Sequence, residues 1–237
     1  MNPIFFRKVS HFVLGSMIVT MWFFISGCGS STPGTPTAPL TPMKLVDRPE
    51  YQLLLPEQLV PGRKYPLVMA FHPGGDVFEM MRLWKTPAAK SQVFVYASKT
   101  SRNGMDMFTV ASEQAKIAGD LLAEFPLDSR RVIATGLSGG GMVSHAFSCL
   151  FPDLIFGVII NTGMIHEIFQ KDPAAYPKGK KAVFLASPTD FRYSDMQNNK
   201  GFLEKQDWTV NWLEFEGGHT NAPEALYEKA IQWMLEP

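Results

Sequence analysis

Beyond residue 44 the chain carries two kinds of apolar pattern in alternation. Short runs at 66–71 (PLVMAF), 93–97 (VFVYA), 131–135 (RVIAT) and 156–160 (FGVII) place apolar residues at nearly consecutive positions. A strand covered on both faces reads this way, whereas a strand with one wet face alternates. Residues 51–55, 182–186 and 209–215 supply three further strands. Between them, residues 112–125 show helical spacing, with Ile117, Leu121, Leu122 and Phe125 on one face. Residues 142–150 continue as a second helix. Residues 223–235 close the chain as a third, with Pro223 suited to the first helical position. Strand followed by helix followed by strand predicts an α/β fold, a mostly parallel central sheet with helices on both faces. The stretch between the strands at 156–160 and 182–186 is short, which leaves room for a minimal cap or none. Neither an internal repeat nor a second folded domain is visible.

The front of the chain follows another pattern. Arg7 and Lys8 precede an apolar run at 12–25, and no acidic residue occurs before Asp47. The run is about 14 residues long, short of the roughly 20 that a membrane-spanning helix needs. A charged start and a short apolar run mark a secretory signal. Ile25-Ser26-Gly27-Cys28 resembles the lipobox of bacterial lipoproteins, with Ile in place of the usual Leu. The resemblance implies that residues 1–27 are removed, that Cys28 is acylated, and that a bacterial envelope membrane holds the chain on its extracytoplasmic side. Residues 29–42 (GSSTPGTPTAPLTP) have no charge and four prolines. They cannot bury apolar surface, so 28–43 reads as a tether and 44–237 as the folded domain.

Composition narrows the function by exclusion. The 22 basic residues balance the 22 acidic ones among 237, so no basic field exists to gather nucleic acid. Apolar residues make up 46% and charged residues 19%, which is too apolar for a disordered chain. The two cysteines form no CxxC or Cys/His cluster that would suggest zinc. Cys149, on a predicted helix, reads as a small core residue.

Nucleophile chemistry is concentrated in Gly136-Leu137-Ser138-Gly139-Gly140, which directly follows one predicted strand and directly precedes a helix. A tight turn between the two exposes the serine oxygen above the sheet, and flanking glycines let neighbouring elements close in. A serine hydroxyl needs a base to take its proton. Of the five histidines, His11 falls in the signal, His145 is carried away by the helix, and His166 has no motif around it. His72 belongs to another loop. His219, in Glu216-Gly217-Gly218-His219, follows the last strand at the same sheet edge as Ser138. The third member orients the histidine. Asp190 lies on a short turn off the strand at 182–186, and Asp195 is its rival five residues on. The oxyanion of an acyl-transfer intermediate needs backbone donors. Gly139 supplies one, and Gly74 or Gly75 in Phe71-His72-Pro73-Gly74-Gly75-Asp76 the other, because Pro73 has no amide.

Together these segments resemble the α/β-hydrolase superfamily. Tyr65-Pro66 entering PLVMAFH, Asp128-Ser129-Arg130-Arg131-Val132 before GLSGGG, and the late GGH are similar to secreted esterases of the poly(3-hydroxyalkanoate) depolymerase and feruloyl or acetylxylan esterase branch. The resemblance implies a serine hydrolase with Ser138, Asp190 and His219 as its triad, a small-molecule or polymeric ester substrate, no metal and no organic cofactor. Pro73 interrupts the usual His-Gly, and Thr220-Asn221 stands where depolymerases carry Trp-Pro, so polymer specificity is not implied. Peptide or thioester hydrolysis by the same triad, and a non-catalytic binding lipoprotein of the same fold, are the alternatives.

Overall fold

The computed structural model describes residues 40–237. Cys28 and the proposed signal lie outside them, as does most of the proposed tether. Eight strands form one sheet: β1 (Met43–Asp47), β2 (Tyr51–Pro56), β3 (Tyr65–Phe71), β4 (Phe94–Ser98), β5 (Leu127–Leu137), β6 (Gly157–Asn161), β7 (Lys181–Ala186) and β8 (Thr209–Glu214). Their order is β1-β2-β4-β3-β5-β6-β7-β8. β1 and β2 join antiparallel at one edge, and every pairing from β4 onward is parallel.

Five helices cover the sheet: α1 (Val77–Ser91), α2 (Met107–Glu124), α3 (Gly139–Leu150), α4 (Tyr193–Lys205) and α5 (Glu224–Leu235). The period-2 geometry of β3 divides the core between two faces. Leu67, Met69 and Phe71 pack with Leu121 of α2, Phe147 of α3 and Leu203 of α4. Val68 and Ala70 pack on the other face with Trp84 of α1 and Tyr227 of α5. The sheet therefore carries helices on both faces, as its apolar runs require. The crossover from β6 to β7 holds a single 3-10 turn (Glu167–Gln170) and no inserted domain.

Three elements depart from the sequence reading. β1 is an edge strand with most of its side chains in solvent, so its apolar pattern is weak. α1 begins where the Asp76 side chain accepts the Glu79 amide at 3.0 Å, a capping contact worth about 1 kcal/mol. It then continues through Pro87. α4 buries only Met196, Asn199 and Leu203. One of those three positions is polar because the Asn199 Oδ1 accepts the amide of Ile165 at 2.8 Å. Two expected helices also start earlier than their apolar pattern: α2 at Met107, capped by Asp106, and α3 at Gly139. Pro223 is the residue before α5 rather than its first, with extended backbone at φ −56°, ψ 144°.

Candidate active site

β5 ends in the turn that holds Ser138 at φ 51°, ψ −116°. A positive φ is costly for a residue with a Cβ and persists only where the surroundings enforce it. Here the Ser138 amide donates to the Asn161 carbonyl at 2.8 Å, and the Ser138 carbonyl accepts the Met142 amide at 3.2 Å. The helix start presses directly onto the end of β3. A Cβ at Gly140 would stand 2.0 Å from the Phe71 carbonyl oxygen, and one at Gly136 2.5 Å from the same atom. Glycine at both positions is a packing requirement. The first amides of a helix have no partner within it, so those of Gly139 and its neighbours form an electropositive end beside the serine.

His219 lies between β8 and α5. Its loop is fixed by the Gly218 amide, which donates to Ser187 Oγ at 2.9 Å. The imidazole joins two other loops: Nδ1 lies 2.8 Å from Asp190 Oδ2, and Nε2 lies 2.8 Å from Ser138 Oγ. A carboxylate only accepts, so Nδ1 carries the proton and Nε2 is left to accept the serine hydroxyl. The Asp190 side chain is fully buried, and its other oxygen accepts the Arg192 amide at 2.6 Å. Asp195, the rival, sits in the first turn of α4, is 44% exposed, and pairs with Arg192 at 3.2 Å. Of the two carboxylates, Asp190 is the one that meets His219. The Phe191 ring leans over the imidazole with centroids 4.5 Å apart and is itself 70% exposed.

The loop after β3 differs from expectation. The Gly74 amide donates to His72 Nδ1 at 3.0 Å, and the Gly75 amide to the His72 carbonyl at 3.1 Å. Neither expected oxyanion donor has its N–H free. His72 Nε2 lies 2.8 Å from a Glu79 oxygen. His166 caps the 3-10 turn, accepting the Ile168 amide at 3.2 Å.

His145 points from α3 into the core, where its Nε2 meets the Tyr176 hydroxyl and its Nδ1 has no partner. Burial holds its pKa down to about 3. The folded value lies below the unfolded one, so its contribution to stability is present above pH ~6.5 and is lost as pH falls toward 3. Wild-type denaturation midpoints should therefore fall across that window, and His145→Gln should flatten the slope, by up to about 1.4 kcal/mol per pH unit. Burial likewise pushes the Cys149 thiol up to about 11, which makes it unreactive.

Asn161, at the end of β6, carries no sequence motif yet connects the site. Its carbonyl accepts the Ser138 amide, while its side chain donates to the Thr220 carbonyl and accepts from the Ala222 amide, each at 2.8 Å. One signal was available in the sequence: a polar residue closing the otherwise apolar run FGVII. Among the described residues no cluster of three or more His, Cys, Asp or Glu could hold a metal ion. Nor is any described helix long and apolar enough to cross a membrane. A groove of about 840 Å³ lies between β2 and α1, lined by residues such as Leu54, Phe78 and Met81, and none of Ser138, Asp190 or His219 lines it.

No family profile matches the sequence, and no curated protein does. Solved structures match widely. S-formylglutathione hydrolase (FrmB) from Staphylococcus aureus is similar with a TM-score of 0.64 at 15% identity, over 82% of this chain and 95% of that one. An esterase from the archaeon Pyrobaculum calidifontis is similar with a TM-score of 0.63 at 12% identity, over 83% and 86%. The Bacillus cereus carboxylesterase gives 0.58 at 17% identity, over 81% and 93%. The chain has the α/β-hydrolase fold, and its structural neighbours are esterases and serine hydrolases.

Proposed function

We propose that the chain is a serine hydrolase that cleaves carboxylic esters through an acyl-enzyme. The observation that carries this reading is the single imidazole hydrogen-bonded at 2.8 Å to both Ser138 and the buried Asp190. A binding protein has no use for that relay, since a fold alone does not demand it. Ser138 Oγ attacks the ester carbonyl while His219 Nε2 takes its proton. Asp190 holds the ring in the required tautomer and stabilises the imidazolium. The Gly139 amide, at the positive end of α3, donates to the developing oxyanion. His219 then protonates the departing alcohol, and water activated by the same nitrogen releases the acid. Phe191 offers the substrate an apolar wall beside the imidazole. The esterases among the structural neighbours favour an ester as the substrate. Labelling by a fluorophosphonate probe, followed by turnover on aryl, alkyl and sugar esters of varied chain length, tests the reading. A protein that takes up no probe and hydrolyses no ester would refute it.

The same reading places the enzyme at a bacterial envelope membrane, held through an acylated Cys28. Its support is the apolar run ending in Ile25-Ser26-Gly27-Cys28 and the uncharged, proline-rich stretch after it. One acyl chain anchors only marginally, so stable attachment requires more than one. Cys28→Ser should move the protein out of the membrane fraction or leave it unprocessed. Unchanged fractionation with a normally processed N-terminus would remove the anchor from the reading.

A further inference from the structure

An oxyanion needs more than the one donor that Gly139 provides. Residues 73–76, after β3, have none to spare. The amides of Gly74 and Asp76 both donate to His72 Nδ1, at 3.0 and 3.1 Å, and that of Gly75 donates to the His72 carbonyl. Pro73 has no N–H. The turn that these amides form leads directly into Asp76, the cap of α1.

Asn103 lies on the other side of the nucleophile turn, in the connection between β4 and α2. Its amide donates to the Pro73 carbonyl at 2.7 Å, which fastens it to the loop after β3. Its carboxamide reaches over the residue after the nucleophile. A Cβ built on Gly139 would stand 1.9 Å from Asn103 Oδ1, 2.9 Å from Cγ and 3.3 Å from Nδ2. Gly139 is the first residue of α3 and has no positive φ, so its backbone does not call for glycine. The end of the Asn103 side chain is what a Cβ there would meet. Asn103 is exposed, so its carboxamide can turn. Its final torsion is broad and roughly two-fold, so NH2 and oxygen exchange places readily.

We infer that the Asn103 side-chain NH2 is the second oxyanion donor, acting across from the Gly139 amide. Asn103 is then a catalytic residue, since it touches the reacting oxygen. A side-chain amide suits the task because it donates without adding a charge of its own. This inference rests on Ser138 being the nucleophile and deepens that reading.

The test pairs ester kinetics with an arylboronic acid, whose tetrahedral adduct on Ser138 mimics the charged intermediate. Asn103→Ala should lower kcat about 10²- to 10³-fold with KM changed only a few-fold, the range expected on removing one such donor. Its affinity for the boronic acid should fall by a similar factor. Asn103→Asp, nearly isosteric but without a donor, should fall at least as far, whereas a residue that merely spaces the loops would tolerate it. Circular dichroism and the thermal midpoint confirm that each variant is folded. A folded Asn103→Ala variant within about threefold of wild-type kcat overturns the inference. So does a slow variant that keeps full boronic acid affinity. Either outcome leaves the Ser138 reading standing if the wild type turns over esters. A wild type inert to ester and boronic acid alike overturns both.

Discussion

Ser138→Ala should reduce ester turnover by about five to six orders of magnitude, leaving the slow rate that oxyanion donors and binding sustain without a nucleophile. The loss should appear in kcat, because the hydroxyl contributes its chief interaction only as the new bond forms. Fluorophosphonate labelling should vanish with it. Stability should hold or rise. The variant keeps the hydrogen bond from its amide to the Asn161 carbonyl and the clearance at Gly136 and Gly140, and loses only a small polar group at a strained turn. A folded variant with near-normal turnover would show that another residue performs the attack.

Asp190→Asn should slow turnover by about three to four orders of magnitude with the fold intact. The buried carboxylate fixes the proton on Nδ1. An amide in its place can present its NH2 to the ring, turning the imidazole to the tautomer that cannot accept from Ser138. Asp195→Asn provides the internal comparison. Its exposed pairing with Arg192 contributes about 0–1 kcal/mol to stability and nothing to the imidazole, so turnover should stay within a few-fold of wild type. If the two variants exchanged places in the kinetics, the carboxylate would be wrongly chosen and the serine–histidine pair would remain.

The strands were legible because burial on both faces writes an unbroken apolar run into the sequence, as at β3 and β6. The elements that escaped notice are those whose burial is partial or interrupted. α1 crosses Pro87, a residue that ordinarily ends a helix, and persists because it packs Met80, Trp84 and Ala88 against the sheet. α4 fills a buried position with Asn199, which makes its narrow stripe look like a polar loop. Within the site, Ser138, Asp190 and His219 stood out because a motif and a chain order point to them. Asn103 and Asn161 did not. Neither belongs to a motif, the one trace being the polar residue that closes FGVII, and the groups they approach lie on other loops, as Thr220 lies 59 residues from Asn161.

Asn161 also limits what can be altered independently. Through its backbone it grips the serine turn, and through its side chain it grips the loop that presents His219. The two loops are therefore not modular. A loop 215–223 transplanted from another hydrolase would have to bring its own backbone carbonyl and amide to the places of those of Thr220 and Ala222, or the Asn161 carboxamide would keep only Thr162 and Tyr227 as partners beside the strained serine. Residues 157–163 and 215–223 would have to be exchanged together, as one engineering unit, for either to retain its register with the other.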